Sequence, residues 1–180
     1  MIYLHTMLWV FVVLFAIIGA FRGSSRELLV TIALLITLFT LDLLGMTRFF
    51  RETLTTMEGG LPLFWVRTIL MTILTMAGYQ IPRENAIMKD RMVGSIKLDK
   101  ITGFIVGGIN GYMIFGSIWY FLHAANYPGL ALLNPAEGPI AELNTRAINF
   151  IQFLPPAWLQ GTVLYIGVGL LVIFILVMVV

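Results

Sequence analysis

The chain has 180 residues, of which 59% are hydrophobic and 11% charged, with a net charge of +2 and a mean hydropathy of +0.96. That balance excludes a soluble globular domain and leaves room for one compact membrane domain with a handful of spanning helices, each needing about 20 mainly apolar residues. With no cysteine in the chain, structural disulfides, thiolate catalysis and thiolate metal sites are excluded as well.

The first predicted span runs from Tyr3 to Phe21. A cleaved signal peptide is the competing reading, but no Lys or Arg precedes the apolar stretch and the stretch is longer than a usual signal core. The polar turn "AFRGSSREL" (Ala20 to Leu28) follows. Gly23 suits a left-handed residue at a helix end, and Ser24 with Glu27 three residues later reads as a capping box for the next helix. A capped turn carrying topogenic charge accounts for every residue in it and is preferred to a substrate site.

The second span is expected from Leu28 to Met46 and the third from Leu61 to Tyr79. Asp42 lies a turn before the end of the second span, and Arg67 about one and a half turns into the third. At matching depth the two are expected to form an intramembrane ion pair, with outward snorkelling of Arg67 as the alternative. On the third span Thr68, Thr72, Thr75 and Tyr79 share a face. Because their hydroxyls can bond back to their own helix, a packing face is preferred to a polar translocation route.

The fourth span, Ile101 to Leu122, carries Gly103, Gly107 and Gly111 at every fourth position, with Gly108 and Gly116 beside them. This is the pattern of a close helix contact, and the threonine face of the third span is its candidate partner. Asn110 borders the stripe, and its amide is expected to bond to a neighbouring helix. A fifth span, Thr162 to Val180, contains no charged residue.

Two connections have the pattern of surface helices. In Asn85 to Lys100, Met88, Met92 and Ile96 form an apolar strip between cations, as expected on an anionic leaflet. In Gly138 to Trp158, Ile140, Leu143, Ala147, Phe150, Ile151 and Leu154 oppose Glu142, Arg146, Asn149 and Gln152. Pro139 begins that helix, Pro155 and Pro156 end it, and Trp158 is an interfacial anchor. His5 and His123 fall at the ends of spans; wetted interfacial histidines are preferred to a ligand-binding pair, and no spacing makes a metal motif.

Charge sets the orientation. The first and third connections carry seven Lys or Arg (Arg22, Arg26, Arg83, Lys89, Arg91, Lys97, Lys100), against three on the other side (Arg48, Arg51, Arg146). The side richer in Lys and Arg is cytoplasmic, so the N-terminus is expected outside and the C-terminus inside.

Two stretches together resemble the colicin V production protein family (CvpA-like), over about Met1 to Pro156. The first motif matches at Arg22, Gly23, Arg26 and Glu27, the second at Asp99, Lys100, Gly103, Gly107 and Gly111. The pattern departs where the family usually has an acidic residue, here His5, and an arginine, here Asn110; the fifth span is extra. With the spans read from hydropathy, the expected architecture is an all-α polytopic membrane protein, a CvpA-like domain over 1–156 with an added C-terminal transmembrane helix over 157–180. The resemblance implies a bacterial inner-membrane protein that supports toxin production or export, or envelope homeostasis.

Two other functions stay open beside that one: an accessory or scaffold subunit of a larger membrane complex, and an oligomeric channel or transporter whose polar lining would draw on Thr68, Thr72, Asn110 and Arg67. No nucleophile, carboxylate pair or phosphate loop stands at a meaningful spacing, so an enzyme is not expected. Lipid and other membrane proteins, or further copies of the chain, are the expected partners, with no nucleic acid and no cofactor.

Overall fold

The computed structural model of the chain describes residues 4–54, 60–80, 96–127 and 141–179. Within them the elements are α1 (Leu4–Arg22), α2 (Ser24–Gly45), a π-helical segment (Phe49–Leu54), α3 (Leu61–Gln80), α4 (Ile96–Ala124), α5 (Ala141–Phe150), a short 3-10 turn (Ile151–Phe153), α6 (Pro155–Trp158) and α7 (Gly161–Val179). Four helices, α1, α2, α3 and α4 from Lys97 onward, are long and apolar enough to cross a membrane. The chain is a polytopic all-α membrane protein. Val10, Val13 and Ile17 on α1, Ile69 and Ile73 on α3, and Phe104 and Ile105 on α4 are exposed. So much bare apolar surface suits lipid and not water.

Hydropathy placed the spans well and two of their starts late. Helix α2 begins at Ser24, four residues before the first continuous apolar run, and α4 at Ile96, five residues before Ile101. The 29 residues of α4 make a rod of about 43 Å at 1.5 Å per residue, longer than a hydrocarbon core of about 30 Å. Its polar first turn, with Lys97, Asp99 and Lys100, therefore projects at one end.

The bundle is organised around α4. Its glycine stripe does face another helix, but the partner is α1 and not the threonine face of α3. A Cβ on Gly107 would lie 2.9 Å from the Gly19 Cα, one on Gly111 2.7 Å from the Phe15 Cβ, and one on Gly103 would collide with the Gly19 carbonyl. Phe11 stacks on Phe115 further along the same seam, centroids 4.2 Å apart. Helix α2 packs between α4 and α3. At its crossing with α3, a Cβ on Gly78 would come within 2.6 Å of the Ala33 Cβ, so α3 uses its own glycine there.

The core these contacts close includes Leu8, Val30, Leu34, Met71, Trp119, Leu154 and Leu164, none more than 1% exposed. Helix α7 lies along α2. Of the two expected surface helices, residues 85–95 lie outside the described residues, Met88 and Met92 among them, and Ile96 begins α4. The second is present as α5, the 3-10 turn and α6. Ala147, Ile151 and Leu154 are buried while Arg146, Asn149 and Gln152 are exposed, as the periodicity requires; Pro139 and Ile140 lie outside the described residues. Trp158 is exposed and donates its indole N–H to the Phe153 carbonyl at 3.0 Å.

Candidate functional site

The polar turn between α1 and α2 and the polar start of α4 meet at one end of the bundle. Gly23 has φ +88° and ψ 159°. Its positive φ agrees with the expectation, but its ψ is extended, which places it in the mirror-image region open almost solely to glycine. That conformation lets Ser24 start α2 directly after Arg22 ends α1.

The expected capping box does not form. Gly23 is the N-cap, and Ser24 is already helical. The cap comes from a distant part of the chain: the Ser24 N–H and hydroxyl both donate to Asp99 Oδ1, at 2.8 and 2.6 Å. A carboxylate there satisfies a free helix N–H and complements the positive helix end. The same carboxylate fills the space over Gly23, where a Cβ would stand 2.6 Å from Asp99 Oδ2.

Glu27, released from capping, turns inward and is fully buried. The Asn110 amide donates to Glu27 Oε2 at 3.0 Å and to the Glu27 carbonyl at 2.9 Å. Thr31, one turn along α2, donates its hydroxyl to Asn110 Oδ1 at 2.7 Å. Asn110 is buried completely, and its side chain bonds to a neighbouring helix as its place in the span requires. Arg22 supplies the counter-charge, its Nε 3.4 Å from Glu27 Oε1. Its guanidinium also lies 4.3 Å from the Tyr79 ring centroid and donates to the Tyr79 carbonyl at 3.3 Å. The buried Tyr79 hydroxyl has no hydrogen-bond partner among the described residues. One buried carboxylate thus draws groups from all four spans to a single point.

Both motif stretches contribute to this cluster. Arg22, Gly23, Glu27 and Asp99 belong to it directly, and Gly103, Gly107 and Gly111 bring α1 close enough to form it. Arg26 is half-buried, Lys100 is exposed, and neither is joined to another described side chain. Sequence reasoning missed Gly19, although Phe11, Phe15 and Gly19 repeat at helical spacing, and it missed Thr31, four residues after Glu27.

The ion pair expected between Asp42 and Arg67 is not formed. Asp42 Oδ2 accepts a hydrogen bond from the Tyr165 hydroxyl at 2.7 Å, which ties α7 to α2. Arg67 instead lies 5.6 Å from the Phe121 ring centroid on α4. Similar distances from the helix ends do not bring the two groups together, because Asp42 faces α7 and Arg67 faces α4. Without a shared partner their effects are expected to add. In a double-mutant cycle read by thermal unfolding in detergent, Asp42→Asn and Arg67→Gln should show no coupling, while Tyr165→Phe and Asp42→Asn should be non-additive.

Of the polar groups offered for a translocation route, Thr72 donates to the Thr68 carbonyl of its own helix at 2.8 Å, and Asn110 is consumed by Glu27 and Thr31. Thr75 is buried, and the Thr68 and Thr75 hydroxyls have no hydrogen-bond partner among the described residues. The histidines keep separate surroundings. His5 Nε2 accepts from the Trp9 indole at 3.2 Å, and its ring meets Phe150 edge-on, centroids 4.9 Å apart. His123 meets Tyr127, 5.7 Å between centroids.

Comparison with protein families, with characterised proteins and with solved structures gives no match.

Proposed function

We propose that the chain is a non-enzymatic membrane protein of the colicin V production type, set in the cytoplasmic membrane of a bacterium, and that it supports toxin export or envelope homeostasis. The observation that carries this reading is the meeting of the two motif stretches, distant in sequence, in one buried cluster: Ser24 on Asp99, Glu27 on Asn110, Gly19 against Gly103 and Gly107. Residues that carry the resemblance serve one structural purpose together. Where the family pattern has arginine, Asn110 donates to the Glu27 carboxylate.

Deleting the gene in its host and measuring toxin secretion and survival under envelope stress tests the reading. Complementation by the wild-type chain but not by Asp99→Ala, at equal membrane abundance, is the expected result. A deletion with neither defect would end it.

The same reading places the N-terminus outside and the C-terminus in the cytoplasm. The chain has no cysteine of its own, so single introduced cysteines report cleanly. Met46 and Gln80 are exposed near opposite ends of the bundle. In intact cells a membrane-impermeant thiol reagent should label Met46→Cys and spare Gln80→Cys; the reverse pattern would invert the topology.

A further inference from the structure

Arg67 is a half-buried cation in a membrane-spanning helix with no anion to pair with among the described residues. Asp42, the nearest candidate by depth, is bonded to Tyr165. The described surroundings of the guanidinium are the Phe121 ring and the neighbouring Tyr120. An aromatic face offsets part of the cost of holding a guanidinium in an apolar layer, but it brings no opposite charge and leaves the planar fork of N–H donors unfilled. No described residue supplies its counter-charge.

Position and shape indicate its chemistry. Arg67 lies six residues from the start of α3 at Leu61, about 9 Å along the axis, within reach of the headgroup layer for a long side chain that snorkels. Below it, at helical spacing, α3 presents Leu70 and Leu74, and α4 presents Ile118 and Ile114 one and two turns before Phe121. All four are half-buried. These side chains make an apolar strip running inward from a cation whose donors have no described partner. A phosphate oxyanion matches the guanidinium fork, and an acyl chain matches the strip.

We propose that Arg67 is a binding site for a phosphate-type oxyanion, supplied by the headgroup of a phospholipid whose chain lies along these side chains of α3 and α4. The test uses the full-length protein, stripped of lipid in a non-ionic detergent, as wild type, Arg67→Lys, Arg67→Gln and the exposed-site control Arg48→Gln. Short-chain phosphatidylglycerol should raise the unfolding temperature of wild type and of Arg48→Gln. Arg67→Gln should bind it about tenfold more weakly, as loss of a charged hydrogen bond requires, with Arg67→Lys in between. Inorganic phosphate alone should have no effect, and stabilisation by it as strong as by the lipid would overturn the lipid source.

Should Arg67→Gln fail to fold, wild type alone decides. In liposomes, solid-state NMR should show dipolar coupling between the labelled Arg67 guanidinium nitrogens and lipid phosphorus. No such coupling, or equal lipid response in Arg67→Gln and wild type, would overturn the site; coupling instead to a carboxylate of a second protein would do the same.

Discussion

Gly107→Leu is expected to cost on the order of 3 kcal/mol or more and to lower the unfolding temperature of the detergent-solubilised protein further than any substitution on the lipid-facing side of α4. A Cβ at this position would stand 2.9 Å from the Gly19 Cα and would collide with the Phe15 carbonyl. Both obstacles are backbone, so no side-chain rotation relieves them, and the helices must part. Parting α1 from α4 forfeits the close dispersion contacts that hold spans together where lipid competes for every apolar surface. Three controls isolate the seam. Ile105→Leu changes a residue 54% exposed and should be silent. Gly108→Ala places its methyl 3.4 Å from the Ala16 Cβ, so small adjustments absorb it. Gly167→Ala on α7 meets nothing within 4 Å and should be neutral or slightly stabilising, because alanine is the better helix former. Equal losses for Gly107→Leu and Ile105→Leu would remove the seam from the account.

The second large effect concerns Glu27 and Arg22. Arg22→Gln leaves a fully buried carboxylate with the Asn110 amide but without a counter-ion, and a loss of about 3 to 5 kcal/mol is expected from such an orphaned charge. Glu27→Gln should cost less. It keeps an oxygen for the Asn110 amide, and Arg22, whose side chain is 23% exposed, retains the Tyr79 carbonyl and some access to solvent. The double substitution should recover part of the summed loss, since no charge is then stranded, with a coupling of about 2 kcal/mol. The readout is a double-mutant cycle by thermal or denaturant unfolding in detergent. Additive losses would mean that the 3.4 Å approach of the two side chains contributes nothing.

What the sequence disclosed, and what it withheld, follows from the kind of information hydropathy carries. An apolar run fixes which residues lie within the membrane and roughly how deep, so the four spans and the amphipathic α5 were legible. Polar first turns were not, because the residues Ser24 to Glu27 are held in α2 by a carboxylate 75 positions later in the chain. Periodicity fixed which face of α4 is flat, but not which helix lies against it. That choice was made by Gly19, the single glycine of α1. For Asp42 and Arg67, distance from the helix ends was readable and azimuth was not, and azimuth decides partners. The buried cluster was half legible: Asn110 was expected to find a neighbouring helix, whereas Glu27 was assigned to the helix end it in fact abandons.

The cap that Asp99 supplies to Ser24 has a consequence for biogenesis. Because the chain emerges from its N-terminus, the first hairpin reaches the membrane before α4 is there to join it. Until then the first N–H groups of α2 depend on water or headgroups, and Glu27 has neither the Asn110 amide nor the Tyr79 carbonyl-bound Arg22 set in place. The first two helices therefore insert as a provisional hairpin with a hydrated elbow, and the elbow dries only when the fourth span slides in beside them. Assembly in this order makes the late-arriving helix the one that commits the earlier ones, so a chain cut after α3 would hold its spans in the bilayer yet keep its turn open to solvent.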